Sequence, residues 1–182
     1  MAIAQEFAGQ EPDAKKWYSQ IRDNFPESSS AKKAAGAVVR LDSIGKVIKL
    51  KGASSTSGAK PIDLASYAGK VVLIQYWATW CEPAKVDLAQ LKELQAQFGK
   101  DGFAILGVSL DTKVEELNDY LKKNKLPWSQ IYEPGGLDSR LANELGILTL
   151  PTMILVGKDG RVVNRNVHIT ELEREVGNLL KK

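Results

Sequence analysis

Residues 76–85 read YWATWCEPAK and hold the only cysteine of the chain, Cys81. An apolar run, VVLIQYWA at 71–78, leads into it, and Leu88, Leu91, Leu94 and Phe98 follow at helical spacing. Cys81 therefore falls where a buried strand ends and a helix begins. A side chain at a helix start meets backbone N–H groups that lack intrahelical partners and the positive end of the helix dipole. For a cysteine both favour thiolate over thiol, and the thiolate is the nucleophile. Pro83 suits the first helical turn, where its missing N–H would have had no partner, and Trp80 is placed to shield one side of the sulfur. The opposing reading of a lone cysteine is a small buried core residue. The W-C-x-P setting between strand and helix weighs against it.

Composition narrows the chemistry. The chain has 182 residues, 43% hydrophobic and 26% charged, enough for one core and an appendage. Twenty-five Lys and Arg against 22 Asp and Glu leave a net charge of +3 with no basic block among aromatics, which argues against a nucleic-acid partner. One cysteine and one histidine do not make a soft metal site, since zinc takes three or four such ligands. No metal, no cofactor and no internal disulfide are expected. No apolar run approaches the roughly 18 residues of a membrane helix, and MAIAQEFAGQEPD has neither the charged nor the apolar region of a signal peptide. The chain is expected to be either cytoplasmic or a domain cut from a longer protein.

Two regions must position the cysteine. Residues 1–41 read as a helical hairpin: Trp17, Ile21 and Phe25 recur at i, i+4 and i+8, FPESSS interrupts, and Ala31, Ala34, Ala35, Val38 and Leu41 form a small-residue face. WYSQIRDNFPESSSAKKAAG resembles part of a tetratricopeptide-type unit. Such repeats need about three copies to bury a continuous core, so the hairpin either packs on the main domain or ends a longer array. Residues 42–182 alternate strands and helices. KVIKL and PIDLASYAGK flank a loop, FAILGVSL (103–110) is a second buried strand, and a helix follows with Val114, Leu117 and Leu121 inward. WSQIY is a short strand, and a helix near 138–145 is capped by Asp138 and stopped by Gly146. LTLPTMILVGKDGRVVNRNV is a hairpin turning at Asp159-Gly160, and ITELEREVGNLLKK is a closing helix. A β-α-β start with a hairpin finish predicts an α/β fold, a mixed sheet with helices on both faces.

GKVVLIQYWATWCEPAK, GVSLD about 25 residues later and LPTMILVGKDGRVV together resemble the thioredoxin superfamily, specifically the TlpA/ResA-like, redoxin-type thiol–disulfide oxidoreductases of the bacterial envelope. The resemblance spans residues 42–182 and includes the extra helix and strand at 113–132. It implies a thioredoxin-like fold, Cys81 as the attacking thiol and Pro151 as a cis-proline whose loop faces it. It implies, too, that the Leu150 backbone pairs with an extended substrate strand, with Trp80 and Pro83 beside it. The implied partners are a disulfide- or thiol-bearing protein and an external thiol or reductase. The implied location is periplasmic or envelope-facing.

The departures matter as much. The family's second cysteine would stand at 84, on the same helix face as Cys81, but the residue there is Ala84. The buried acid of thioredoxins, six residues before the attacking cysteine, is Gln75, and a family proline is Ala89. Asp87 stands where these proteins often place a glutamate, and it either handles a proton through water or is a solvated helix acid. Three readings of Ala84 stay open: an introduced replacement, a natural monothiol isomerase or glutathione-linked enzyme, and a redox-silent domain. The expected function is thiol–disulfide exchange that starts at Cys81 but lacks its resolving thiol. The alternative is a redox-silent module that binds extended peptides. A peroxiredoxin is excluded because Thr79 lies two residues before Cys81 rather than three. His168 is expected as a strand-exit residue rather than a base.

Overall fold

The run Val71–Trp77 is buried along its whole length and forms the central strand of a five-stranded sheet in the computed structural model, which describes residues 1–181. The elements in chain order are α1 (Ala2–Phe7), α2 (Glu11–Asn24), α3 (Ser29–Leu41), β1 (Lys51–Gly52), β2 (Ile62–Asp63), β3 (Val71–Trp77), α4 (Glu82–Phe98) and β4 (Phe103–Ser109). They continue as α5 (Val114–Asn124), β5 (Ser129–Tyr132), α6 (Arg140–Glu144), β6 (Thr152–Val156), β7 (Val162–Asn164) and α7 (Ile169–Leu180).

The strand order is β5-β4-β3-β6-β7. β3, β4 and β5 are parallel, with Tyr76 opposite Val108, whereas β6 runs antiparallel to β3, with Tyr76 opposite Thr152, and β7 antiparallel to β6. This topology positions the site. β3 ends at the sheet edge where β6 begins, so the segment after Trp77 and the segment before Thr152 arrive side by side.

Alternation along β3 sends Leu73 and Trp77 to one face and Ile74 and Tyr76 to the other. The first face is covered by α4 through Leu88, Leu91 and Leu94, and by α7 through Leu172 and Val176. The second is covered by Leu141 and Ala142 of α6 and by Ile48, Leu50 and Leu64. Covering on both faces is why the central strands carry continuous apolar runs rather than alternation. No described helix is long and apolar enough to cross a membrane.

The N-terminal region has three helices rather than a two-helix hairpin. Its buried stripe on α2 is Ala14 and Tyr18, while Trp17 and Phe25, expected inside, are exposed. The cause is α1, an element that short-range periodicity did not signal. The Tyr18 hydroxyl donates to Glu6 of α1 at 2.9 Å, which turns the Tyr18 side of α2 inward. α3 then packs on α6 at near contact: a Cβ on Gly36 would lie 1.9 Å from the Asn143 carbonyl oxygen and 2.4 Å from the Gly146 nitrogen. Gly146 itself has φ +55°, a left-handed conformation suited to glycine.

Smaller expectations also shift. KVIKL joins no ladder: Val47 makes one isolated bridge to Arg161 and is exposed, while Ile48 and Leu50 are buried. The cap of α6 is Ser139, whose hydroxyl accepts from the Ala142 N–H at 3.3 Å, and not Asp138, which pairs instead with Lys33 at 2.8 Å. On α5 only Leu117 is fully buried, with Val114 and Leu121 half-buried. α4 ends at Phe98 with Gly99 as its C-cap, and the chain then reverses at Gly102, with φ +99°.

Candidate active site

The chain leaves β3 at Trp77, whose carbonyl accepts from the Leu110 N–H at 2.8 Å, and makes a tight turn closed by Cys81 N–H to the Ala78 carbonyl at 3.1 Å. A buried carboxylate braces this turn. Asp111, just beyond β4, accepts from the backbone N–H of Thr79 at 3.0 Å and from its hydroxyl at 2.7 Å. It also accepts from the Ser109 hydroxyl at 2.8 Å. All three donors are local or come from the neighbouring parallel strand's exit, so the two strand ends are tied together just before the thiol.

Cys81 is the N-cap of α4, with φ −86° and ψ 97°, and its side chain makes no capping hydrogen bond. The first turn is set by the Lys85 N–H donating to the Cys81 carbonyl at 3.2 Å, with Pro83 inside it and an exposed Glu82–Lys85 ion pair at 2.6 Å. Only 6% of Cys81 is exposed. Trp80 stands next to it, 54% exposed. Ala84 lies in the same apolar cluster as Cys81 and is fully buried. α4 runs without interruption past Ala89.

Across the sheet edge, the Leu150–Pro151 peptide bond is cis. Leu150 is half-buried and packs against the cluster that contains Cys81. Its backbone N–H and C=O make no hydrogen bond among the described residues, and the β6 ladder begins at Thr152.

Asp87, one turn beyond Ala84, is half-buried, and that burial holds its carboxyl above the ordinary carboxylate range, with the nearby His168 imidazole pulling the other way. His168 is not a strand residue. It is the exposed N-cap of α7, its ring accepting from the Thr170 N–H. Gln75 is fully buried, and both atoms of its amide lack a partner among the described residues. By alternation it lies on the α4 side of β3, the side of Trp77 and Cys81.

The fold thus brings Trp80, Cys81, Pro83, Ala84 and Leu150–Pro151 to one edge of the sheet, with Asp87 a turn further along α4. Asp111 and the approach of His168 to Asp87 were not anticipated from the sequence. A usable signal existed for Asp111: polar residues stand at the exits of two neighbouring parallel strands, Thr79 two residues beyond β3, and Ser109 at the end of β4 with Asp111 two residues on. No cluster of three or more metal-ligating side chains occurs among the described residues.

Comparison with known proteins places this arrangement in context. A family model described as thioredoxin-like matches residues 69–162, just over half of the chain. A protein named thiol-disulfide oxidoreductase ResA from Bacillus thuringiensis is 26% identical over 123 residues, 68% of this chain and 69% of that one. Among solved structures, a thiol-disulfide oxidoreductase from Bacteroides fragilis superposes with a TM-score of 0.66 at 29% identity, over 73% of this chain and 98% of the other. The thioredoxin domain of a thiol-disulfide oxidoreductase from Bacteroides vulgatus, 23% identical, shares the fold with a TM-score of 0.67 over 75% of this chain and 97% of its own.

Proposed function

The chain belongs to the thioredoxin-like family, and on that premise we propose that it carries out thiol–disulfide exchange on a polypeptide through Cys81 alone. The observation that carries the reading is Cys81 at the start of α4 with its side chain unused in capping, beside Leu150, whose backbone N–H and C=O are free. An extended substrate segment pairs with those two groups as an added strand. The Cys81 thiolate attacks one sulfur of the substrate disulfide, a new S–S bond forms between them, and the second substrate sulfur leaves as a thiolate. Asp87 is the half-buried carboxyl of α4 that holds or returns a proton through water, whereas Glu82 is exposed and paired with Lys85, and Gln75, being an amide, cannot do so.

Ala84 decides what happens next. A cysteine one turn away would attack the mixed disulfide with an effective molarity that can reach about 10⁵ M or more. Here an external thiol must replace it. One external thiolate attacks the Cys81 sulfur and releases the reduced substrate, and a second frees Cys81, so two external thiols are oxidised for each substrate disulfide reduced. Alternatively another thiolate of the substrate attacks the substrate sulfur of the mixed disulfide, a new substrate disulfide forms, Cys81 leaves as thiolate, and the net result is isomerisation. In keeping with the TlpA/ResA-like pattern, the reading assigns the protein to the bacterial envelope and residues 42–182 to the redox domain, with 1–41 as an accessory helical unit.

The test is a pair of proteins. With a peptide disulfide, the chain as it stands should accumulate one mixed disulfide, located at Cys81 by mass spectrometry and absent in Cys81→Ser. Ala84→Cys should form an intramolecular disulfide and reduce insulin-type disulfides catalytically with dithiothreitol. If Ala84→Cys keeps two free thiols under mild oxidant and shows no turnover, the exchange reading fails. The small exposure of Cys81 favours one rival, a redox-silent module holding extended peptides at Leu150 and Trp80. That rival expects slow modification of Cys81 and peptide affinity unchanged by Cys81→Ser.

A further inference from the structure

At the opposite end of β3 from Cys81, a groove of about 580 Å³ opens on the sheet face that α6 also covers. Its size lies within the roughly 300–1,000 Å³ typical of small-molecule sites. Val72 and Val156, paired in register across β3 and β6, form the floor. Ile48 and Leu50 form one wall, Leu64 and Tyr67 the other.

The walls are already tied. Leu64 N–H donates to the Leu50 carbonyl at 2.9 Å, Lys51 pairs with Asp63, Val162 N–H donates to the Lys46 carbonyl at 2.9 Å, and Gly69 N–H to the Lys158 carbonyl at 3.1 Å. These bonds hold the walls to the sheet, and the groove presents apolar side chains around a volume that suits a small molecule.

The rim has a sign. Lys49, Lys51, Lys70 and Lys158 line it, and none is in an ion pair among the described residues; Lys158 donates to the Leu180 carbonyl at 2.9 Å. The two acids on the rim keep their charge, so four lysines against two carboxylates leave the rim net positive by two, and both acids are turned toward local donors. Asp63 accepts from the Ala65 N–H at 2.9 Å, and Asp159 accepts from the Arg161 N–H at 3.0 Å and pairs with its guanidinium at 3.7 Å. Lysine stems lie along apolar surface while their ammonium heads stay in water, so the groove combines an apolar lining with a net positive rim.

We infer that this groove binds a single-chain alkyl carboxylate, its chain over Val72 and Val156 and its carboxylate among the heads of Lys49, Lys51 and Lys70. The site is separate from Cys81 and independent of any exchange activity.

Calorimetric titration of the whole chain with decanoate, below its micelle concentration, should show one site. Decyltrimethylammonium, with the same chain and the opposite head, should not bind. Charge reversal by Lys49→Glu with Lys70→Glu, both exposed, should weaken decanoate by at least about tenfold, and Val47→Glu on the exposed apolar rim should weaken it separately. Alkylation of Cys81 should leave decanoate binding unchanged. Absence of decanoate binding, equal uptake of both amphiphiles, indifference to lysine reversal, or attachment only to anionic phospholipid vesicles would each overturn the assignment.

Discussion

The carboxylate of Asp111 grips Thr79 at two points, its backbone N–H at 3.0 Å and its hydroxyl at 2.7 Å, from 32 residues away in the chain. Thr79 lies two residues before the thiol, so this contact sets the path by which Cys81 reaches the start of α4. Asp111→Ala leaves two Thr79 donors and the Ser109 hydroxyl without their acceptor in a buried place. The expected loss is about 2–4 kcal/mol, read as a lower urea midpoint at unchanged slope. Asp111→Asn retains one acceptor oxygen and should lose less.

Gly36 and Gly177 make a matched pair. A Cβ at Gly36 would run into the backbone of Asn143 and Gly146, whereas one at Gly177 on α7 meets nothing within 4 Å. Gly36→Ala should destabilise by roughly 1–3 kcal/mol and expose the N-terminal helices to protease. Gly177→Ala should stabilise by about 0.5–1 kcal/mol, because alanine is the better helix former.

Glu6 makes the N-terminal helices sensitive to acid. Burial opposes its carboxylate, but the hydrogen bonds and charge of Arg40 and the Tyr18 hydroxyl outweigh this and hold it below the ordinary value of 4.5. Folding therefore favours the charged form. The contribution is fully present above about pH 4.5 and is lost as pH falls through the lower folded value. Arg40 is itself buried and also donates to the Leu145 carbonyl at 3.0 Å, so the same pair joins α1, α3 and the end of α6. Limited proteolysis should show α1 and α2 released before the sheet as pH drops. Glu6→Gln should cost about 2–3 kcal/mol at neutral pH by leaving Arg40 without its anion.

Asp87 has the opposite sign. Burial raises its carboxyl above the ordinary 3.8, only in part offset by His168. Folding disfavours the charged form, so that contribution is fully present below about pH 3.8 and is lost as pH rises through the folded value. Asp87→Asn should therefore raise the melting temperature slightly at pH 7 and leave it unchanged at pH 3. The same variant should slow formation of the mixed disulfide at Cys81 if the carboxyl handles a proton, and this is read by quenched mass spectrometry.

Much of the site could be read from the chain because it is written within a few residues. The apolar run at 71–77, the cysteine at its exit, Pro83 in the first turn and the Asp159-Gly160 hairpin are short-range patterns, and each is found where its pattern puts it. The stripe on α2 was misread for the complementary reason. Periodicity offered Trp17, Ile21 and Phe25, but which side of a helix is buried depends on the neighbour, and of these only Ile21 packs on the core, beside Ala14 and Tyr18. KVIKL shows the same limit: Val47 makes one isolated bridge and is exposed while Ile48 is buried, a choice made by the sheet they meet rather than by the pentapeptide.

By itself the sequence determined that this chain has a mixed α/β architecture, that one sulfur sits at a helix start and that no second cysteine stands one turn on. Those are statements about residue type, spacing and local backbone preference. Only the tertiary structure decided that Asp111 ties down Thr79, that Asp87 is half-buried within range of the His168 charge, and that Glu6 clamps Arg40. It alone shaped the groove over Val72 and Val156 under a lysine rim. Each of these joins groups distant in sequence, and the choice among distant partners is made by close packing and by the need of every buried polar group for a partner.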